Sequence, residues 1–229
     1  MRQRRRAVVV DRVACAERLA TGLNGLALSI AESEQARLLD YVEVLAAWNA
    51  THNLTAVRAP EAMVVRHLLD CLAIRPFIDG LCVADVGTGP GLPGLVLATV
   101  CGDKSFTLVE ANHKKVAFLR HARRTLGLEN VDIRAARVED VVPETVFDWV
   151  LSRAFASAAQ TVHHAGQLIG ADTRLGLMKA RDFAAEAADL PPGFVQQADH
   201  RLQVPGLDGA RRFVVIGRDT SGRNAQGLS

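Results

Sequence analysis

One segment constrains the fold of this chain more than any other: Asp85-Val-Gly-Thr-Gly-Pro-Gly-Leu-Pro-Gly94. It follows a short apolar run at 81–86 and precedes a helix expected near 92–101. Gly87, Gly89 and Gly91 alternate at the junction. Glycines between a strand and a helix let the backbone turn tightly and approach a ligand without Cβ clashes. The helix that follows offers unpaired N–H groups at its N-terminus. Nineteen residues after Gly91, Glu110 closes a second apolar run at 105–109. A carboxylate there can accept hydrogen bonds from both hydroxyls of a bound ribose.

The rest of the chain arranges itself around this turn. Residues 1–28 are expected to hold one short helix. Ser29-x-x-Glu32 reads as a capping box, and Leu38, Leu39, Val42, Leu45 and Ala46 repeat at helical spacing over 33–49. Residues 49–57 are polar and read as a loop. Pro60 opens a second helix that should stop before Pro76. Helices are expected at 112–126, 156–168 and 180–189, the first stopped by Gly127. Further strands are expected at 131–135, 147–152, 173–178, 194–204 and 212–217. This alternation predicts an α/β fold with a Rossmann-like sheet covered on both faces. Its mostly parallel seven-stranded sheet would have an antiparallel edge and an N-terminal helical cap. The expected division is an arm and cap at 1–77, a nucleoside-binding domain at 78–220 and a disordered tail at 221–229.

Gly89-x-Gly91-x-x-Gly94 also satisfies the dinucleotide fingerprint. Three features favour S-adenosylmethionine instead. Asp85 stands two residues before the first glycine, where a carboxylate can hold the ligand's ammonium or its bridging water. Val138 and Glu139 lie just after the third strand, placed for an adenine face and its exocyclic amine. The sheet is expected to end in a strand pair and not in a second mononucleotide-binding half, so the expected architecture is that of a Rossmann-like class I methyltransferase.

The fourth strand narrows the chemistry. It ends in Ser152-Arg153-Ala154-Phe155. An Asn/Asp-Pro-Pro-aromatic turn for exocyclic amines is absent, and no cysteine lies nearby to add across a pyrimidine ring. A target with a free lone pair, such as guanine N7, remains; it needs alignment and no general base. Arg153 is placed to grip a phosphate, guanine O6 or the ligand carboxylate, or else to form a structural salt bridge. Phe155 is a base-stacking or a packing residue.

Trp48-Asn49-x-x-His52-Asn53-Leu54-Thr55, His67-Leu68-Leu69-Asp70, residues 85–94, residues 152–155 and Leu202-x-Val204-Pro205-x-Leu207-x-Gly209 occur together. In this combination the chain resembles the RsmG (GidB) family of bacterial 16S rRNA (guanine-N7) methyltransferases. The resemblance implies methylation of guanosine 527 in the 530 loop of the small subunit. It implies S-adenosylmethionine contacts at Gly87, Leu92, Val138, Glu139 and Arg153, with Arg153 as the orienting catalytic residue. It implies that the Asn53–Thr55 loop helps form the substrate pocket. His52 and Lys179 join Asn53 and Thr55 as candidate substrate contacts. The chain departs from the family at Cys71, Ala180 and Arg212, where Ser, Gly and His are common.

Composition sets the remaining bounds. The net charge of +2 does not by itself imply nucleic acid. The 27 cationic residues include only four lysines, at 104, 114, 115 and 179. Such an excess of arginine suits phosphate and guanine edges, or reflects a GC-rich coding sequence. Four scattered cysteines read as reduced thiols, and His163-His164 lack partners at metal spacing, so no metal is expected. No secretory signal or membrane span is expected, and the expected location is the cytoplasm. The resemblance implies 16S rRNA or the 30S particle as partner, and a monomer is expected. The basic start, Met1-Arg-Gln-Arg-Arg-Arg6, is a tail or an RNA contact. His67 reads as a core histidine. The competing functions are a small-molecule methyltransferase and a non-catalytic RNA scaffold that binds S-adenosylmethionine.

Overall fold

A computed structural model describes residues 9–153, 156–180 and 183–219. Phe155, the basic start and the 221–229 tail lie outside the described residues. Seven strands form one sheet: β1 (Cys82–Val86), β2 (Ser105–Val109), β3 (Val131–Arg134), β4 (Trp149–Arg153), β5 (Arg174–Lys179), β6 (Phe194–Leu202) and β7 (Arg211–Arg218). Their order is β3-β2-β1-β4-β5-β7-β6. The first five pair in parallel, and β7 runs antiparallel to both β5 and β6. The expected architecture is therefore present, with β7 inside the sheet and β6 at its edge.

Alternation along each strand divides the core in two. Val83, Phe106, Leu108, Trp149, Leu151 and Phe213 face one side. Ala84, Val86, Val109, Val150, Leu177 and Val214 face the other. Period-two burial on both faces is what a sheet covered on both sides requires. The first face packs against α5 (Gly94–Val100) and α6 (His113–Leu126). The second is covered by α7 (Ala158–His164) and α8 (Ala184–Ala188).

The N-terminal helices lie over α5 and α6 as a further layer: α1 (Arg12–Gly25), α2 (Glu32–His52), α3 (Pro60–Met63) and α4 (Asp70–Leu72). Their buried side chains, from Cys15 to Ile78, join those of the first sheet face in one continuous core. Between α3 and α4 the helix widens into a π turn, Val64–Leu69.

Several boundaries differ from the sequence reading. α2 starts from Ala31, whose N–H is accepted by Glu34 Oε2 at 3.0 Å, so the Ser29/Glu32 box is not the cap. α2 also runs through residues 50–52, read as loop, and ends where Asn53 turns left-handed at φ 50°. Asparagine tolerates that conformation better than most residues. Buried Asn49 fastens the loop beyond: it accepts from Thr55 N at 2.9 Å and donates to Val57 O at 3.0 Å. The helix expected over 156–168 is α7 followed by a 3₁₀ turn, Gly166–Leu168. Among the described residues no helix is long and apolar enough to cross a membrane.

Candidate active site

The glycine turn is built on two acids below it. Asp85, at the end of β1, is fully buried. Its Oδ2 accepts from Thr88 Oγ1 at 2.5 Å and from Gly94 N at 2.8 Å, closing the turn onto the start of α5. Its Oδ1 has no hydrogen-bond partner among the described residues. Burial pushes the Asp85 carboxyl up to about 7, against the opposing pull of those two donors. Glu110, just past β2, accepts from Gly89 N at 3.0 Å and from Asn112 N at 2.9 Å. It therefore ties the glycine turn to the start of α6. From the cap, Tyr41 donates its hydroxyl to Pro90 O at 2.9 Å.

The glycines divide by task. Gly87, Gly89 and Gly91 all have positive φ, at 63°, 62° and 89°. A Cβ on Gly89 would meet only Gly87 O, 4.0 Å away, so this face of the turn is an open cradle. A Cβ on Gly91 would strike Leu95, and one on Gly94 would strike Leu108 and Asp85. Those two glycines allow close packing of turn, helix and sheet.

Above the cradle lies a cavity of about 490 Å³, within the ordinary range for small-molecule sites. Gly87, Gly89 and Leu92 form one wall; Arg66, His67 and Asp70, from the π turn and α4, form another. The ends of β4 and β5 and the start of β7 close it with Arg153, Lys179, Arg211 and Arg212. Lys115 stands at the rim. Six cations and one carboxylate line the cavity, and from outside the lining Glu110 pairs with Lys115, Glu186 with Lys179 and Asp199 with Arg212.

Asp70 is the hub of this charge. Arg153 Nη1 donates to its Oδ2 at 3.3 Å, and Arg211 Nε donates to its Oδ1 at 3.2 Å. Arg153 also donates to Arg66 O at 3.2 Å. His67 sits 2.9 Å from that same carbonyl through Nδ1, and 2.9 Å from Thr55 Oγ1 through Nε2. A carbonyl only accepts, so Nδ1 carries the proton and Nε2 accepts from Thr55. Burial, with Arg153 nearby, lowers His67 to about 4 and keeps it neutral.

Of the residues singled out in the sequence, the cavity gathers Gly87, Gly89, Leu92, Arg153 and Lys179. Asp85 and Glu110 support the turn from beneath. Lys179 Nζ is engaged by Glu186 at 2.8 Å and Ala156 O at 3.1 Å. Thr55 reaches the site through His67. Gly91, Val138, Glu139, His52 and Asn53 do not line the cavity. Val138 is buried, and Glu139 pairs with His164 at 2.5 Å. His52 packs on Trp48 with ring centroids 5.1 Å apart, and Asn53 accepts from Arg58. The sequence reading gave no role to Arg66, Asp70 or Arg211. The Arg211-Arg212 pair at the start of the last strand was the available signal. Among the described residues no group of three or more His, Cys, Asp or Glu is placed to hold a metal ion.

Comparison with known proteins follows the same lines. A family model described as GidB, rRNA small subunit methyltransferase G, matches residues 34–215. A ribosomal RNA small subunit methyltransferase G from Nitrosospira multiformis is 47% identical over 210 residues, covering 89% of this chain and 97% of that protein. One from an Azoarcus strain is 44% identical over 204 residues, covering 89% and 96%. Among solved structures, a mitomycin 7-O-methyltransferase matches with TM-score 0.54 at 17% identity, over 69% of this chain and 56% of its own. A SAM-dependent methyltransferase from Aquifex aeolicus matches with TM-score 0.52 at 14% identity, over 67% and 92%. These distant structures share the fold. With the family model spanning most of the sequence, the chain belongs to the GidB family, rRNA small subunit methyltransferase G.

Proposed function

We propose that this member of an S-adenosylmethionine-dependent rRNA methyltransferase family transfers a methyl group to N7 of guanosine 527, in the 530 loop of 16S rRNA. The observation that carries this reading is the open cradle at Gly89 beneath a cation-lined cavity. The cradle and Asp85 Oδ1, which has no hydrogen-bond partner among the described residues, suit a nucleoside with a cationic amino-acid arm. Bound S-adenosylmethionine supplies a sulfonium methyl that is already activated.

The chain's own residues then have to hold and align. Gly87, Gly89 and Leu92 seat the donor. Each Glu110 oxygen accepts one backbone N–H and keeps a second lone pair for a ribose hydroxyl. Val138 and Glu139 take the adenine end. Arg153 orients the methionine arm or the guanine, held in place by Asp70 and the Arg66 carbonyl. Guanine N7 carries no proton, so neutral His67 is not needed as a base; it fixes the wall through Thr55 and the π turn. His52, Asn53, Thr55 and Lys179 serve the RNA side. The enzyme works in the cytoplasm as a monomer, without a metal, on 16S rRNA or the 30S particle.

Deleting the gene and probing the 530 loop by borohydride–aniline scission tests the assignment. Scission at the target is expected in the wild type and absent in the deletion strain. Scission in both strains would refute the substrate.

A further inference from the structure

Resting on that reading, we infer that the outer face of α6 is a second contact surface for the substrate RNA, a phosphate track leading away from the reaction cavity. α6 holds five lysines and arginines and no acid between His113 and Leu126, more positive charge than the whole chain's net +2. Lys115 stands at the cavity rim. Lys114 beside it, and Arg120 and Arg124 farther along the helix, are exposed. Arg120 and Arg124, with Arg123, line a separate open depression of about 440 Å³ at the far end of α6. Lys114 and Arg124 are ten residues apart, ~15 Å along a helix, the axial length of roughly four stacked nucleotides.

The seam between α6 and α2 adds aromatic surface to this track. His121 of α6 packs on Trp48 with centroids 5.4 Å apart, and His52 packs on the same indole at 5.1 Å. Imidazole N–H groups can donate to phosphates or ribose hydroxyls, and partly open rings offer stacking faces to unpaired bases. His52 thus contributes to RNA binding from this outer seam and not from the reaction cavity. A cationic helix interrupted by aromatic rings, and continuous with a cation-lined site, fits a polyanion that extends past the target base. A metabolite substrate would leave this face without a task. Two cations of the helix are engaged within the protein: Arg123 Nε caps the C-terminus by donating to Leu128 O at 3.1 Å, and Lys115 Nζ lies 3.7 Å from Glu110 Oε2.

The test neutralises three exposed cations together, as Lys114→Gln/Arg120→Gln/Arg124→Gln, in the full chain. Binding to a 16S fragment containing the 530 loop is measured across salt concentrations. The slope of log K against log salt should flatten by about 2 to 3, the loss expected for three phosphate contacts. KM for the RNA substrate should rise about tenfold, with kcat within twofold of wild type and S-adenosylmethionine affinity unchanged. The charge-conserving variant Lys114→Arg/Arg120→Lys/Arg124→Lys should behave as wild type. An unaltered slope and KM would overturn the inference. So would weaker binding to 30S particles with naked-RNA binding intact, because the face would then meet ribosomal protein. Failure of the wild type to methylate RNA would sink the proposed function instead, while the salt slopes would still decide the track.

Discussion

Arg153 reaches back from the end of β4 to Asp70 on α4, its Nη1 lying 3.3 Å from the Asp70 Oδ2. Asp70 is 83 residues earlier in the chain, and Arg211, 141 residues away from Asp70, grips its other oxygen. The cap, the sheet centre and the last strand are thus joined at one carboxylate. All three side chains are largely shielded from solvent. Removing one member of such a pair leaves a shielded charge uncompensated, which costs about 3–5 kcal/mol. Asp70→Ala should therefore lower unfolding stability by roughly 3 kcal/mol in urea titrations. Adding Arg153→Met should cost less than the sum of the two single changes. Strict additivity would show that the pair is not coupled.

The two kinds of glycine predict opposite phenotypes. Gly89→Val should abolish S-adenosylmethionine binding by calorimetry, because its side chain would fill the cradle. The fold should survive, at a backbone cost of about 1–2 kcal/mol for a left-handed residue. Gly94→Ala should do the reverse at first order: its Cβ would lie 2.1 Å from Leu108 Cδ2, so the melting temperature should fall sharply. Tight ligand binding by the Gly89 variant would contradict the placement of the donor.

Glu110→Gln keeps the shape of the side chain but removes the charge and one acceptor. The Gly89 and Asn112 N–H groups can no longer both be satisfied in the same way. A loss of about 1.5–3 kcal/mol is expected for a charge-assisted bond, so the dissociation constant for S-adenosylmethionine should rise about tenfold or more. An unchanged constant would remove Glu110 from the binding site.

Asp85 and His67 give stability pH dependences of opposite sign. Asp85 is raised from 3.8 to about 7, so between those values the fold keeps a proton that the unfolded chain releases. Its contribution is complete below pH 4 and is lost as pH rises towards 7. His67 is lowered from 6.5 to about 4, so over that range the unfolded chain takes up a proton that the fold excludes. Its contribution is complete above pH 6.5 and is lost as pH falls towards 4. The two oppose each other between pH 4 and 6.5. Relative to wild type, Asp85→Asn should gain stability as pH rises through this window, and His67→Gln should lose it. Parallel melting curves for all three proteins would refute both assignments.

Much of this was legible in the chain because local rules and the fold agree. Strand and helix alternation, the turn and Gly127 as the stop of α6 follow from short-range pattern, and Glu110 was placed by spacing alone. What separates Gly89 from Gly91 is side-chain packing and not backbone conformation. Both share positive φ, and only the side chains of Leu95 and Leu119, packed against Gly91, make the difference. The end of α2 was misread because polarity reports exposure and not backbone conformation. His52 is exposed yet helical, and Asn49 is polar yet buried by its own loop. Arg212 reaches the site because antiparallel pairing sets it opposite Lys179, and Arg211 lies beside it. That register is a long-range property no spacing rule supplies.

The position of β7 also dictates an order of assembly. β6 is synthesised before β7, yet in the sheet it pairs with β7 and not with β5. Until residues 211–218 have left the ribosome, β5 has one bare margin and β6 has no neighbour. Domains generally fold as units during synthesis, so this one needs its last strand. This sheet can therefore close only at the end, like a zip whose slider is the last part to be fitted. A nonsense codon shortly before Arg211 would leave two unpaired strand margins and remove two cavity cations at once.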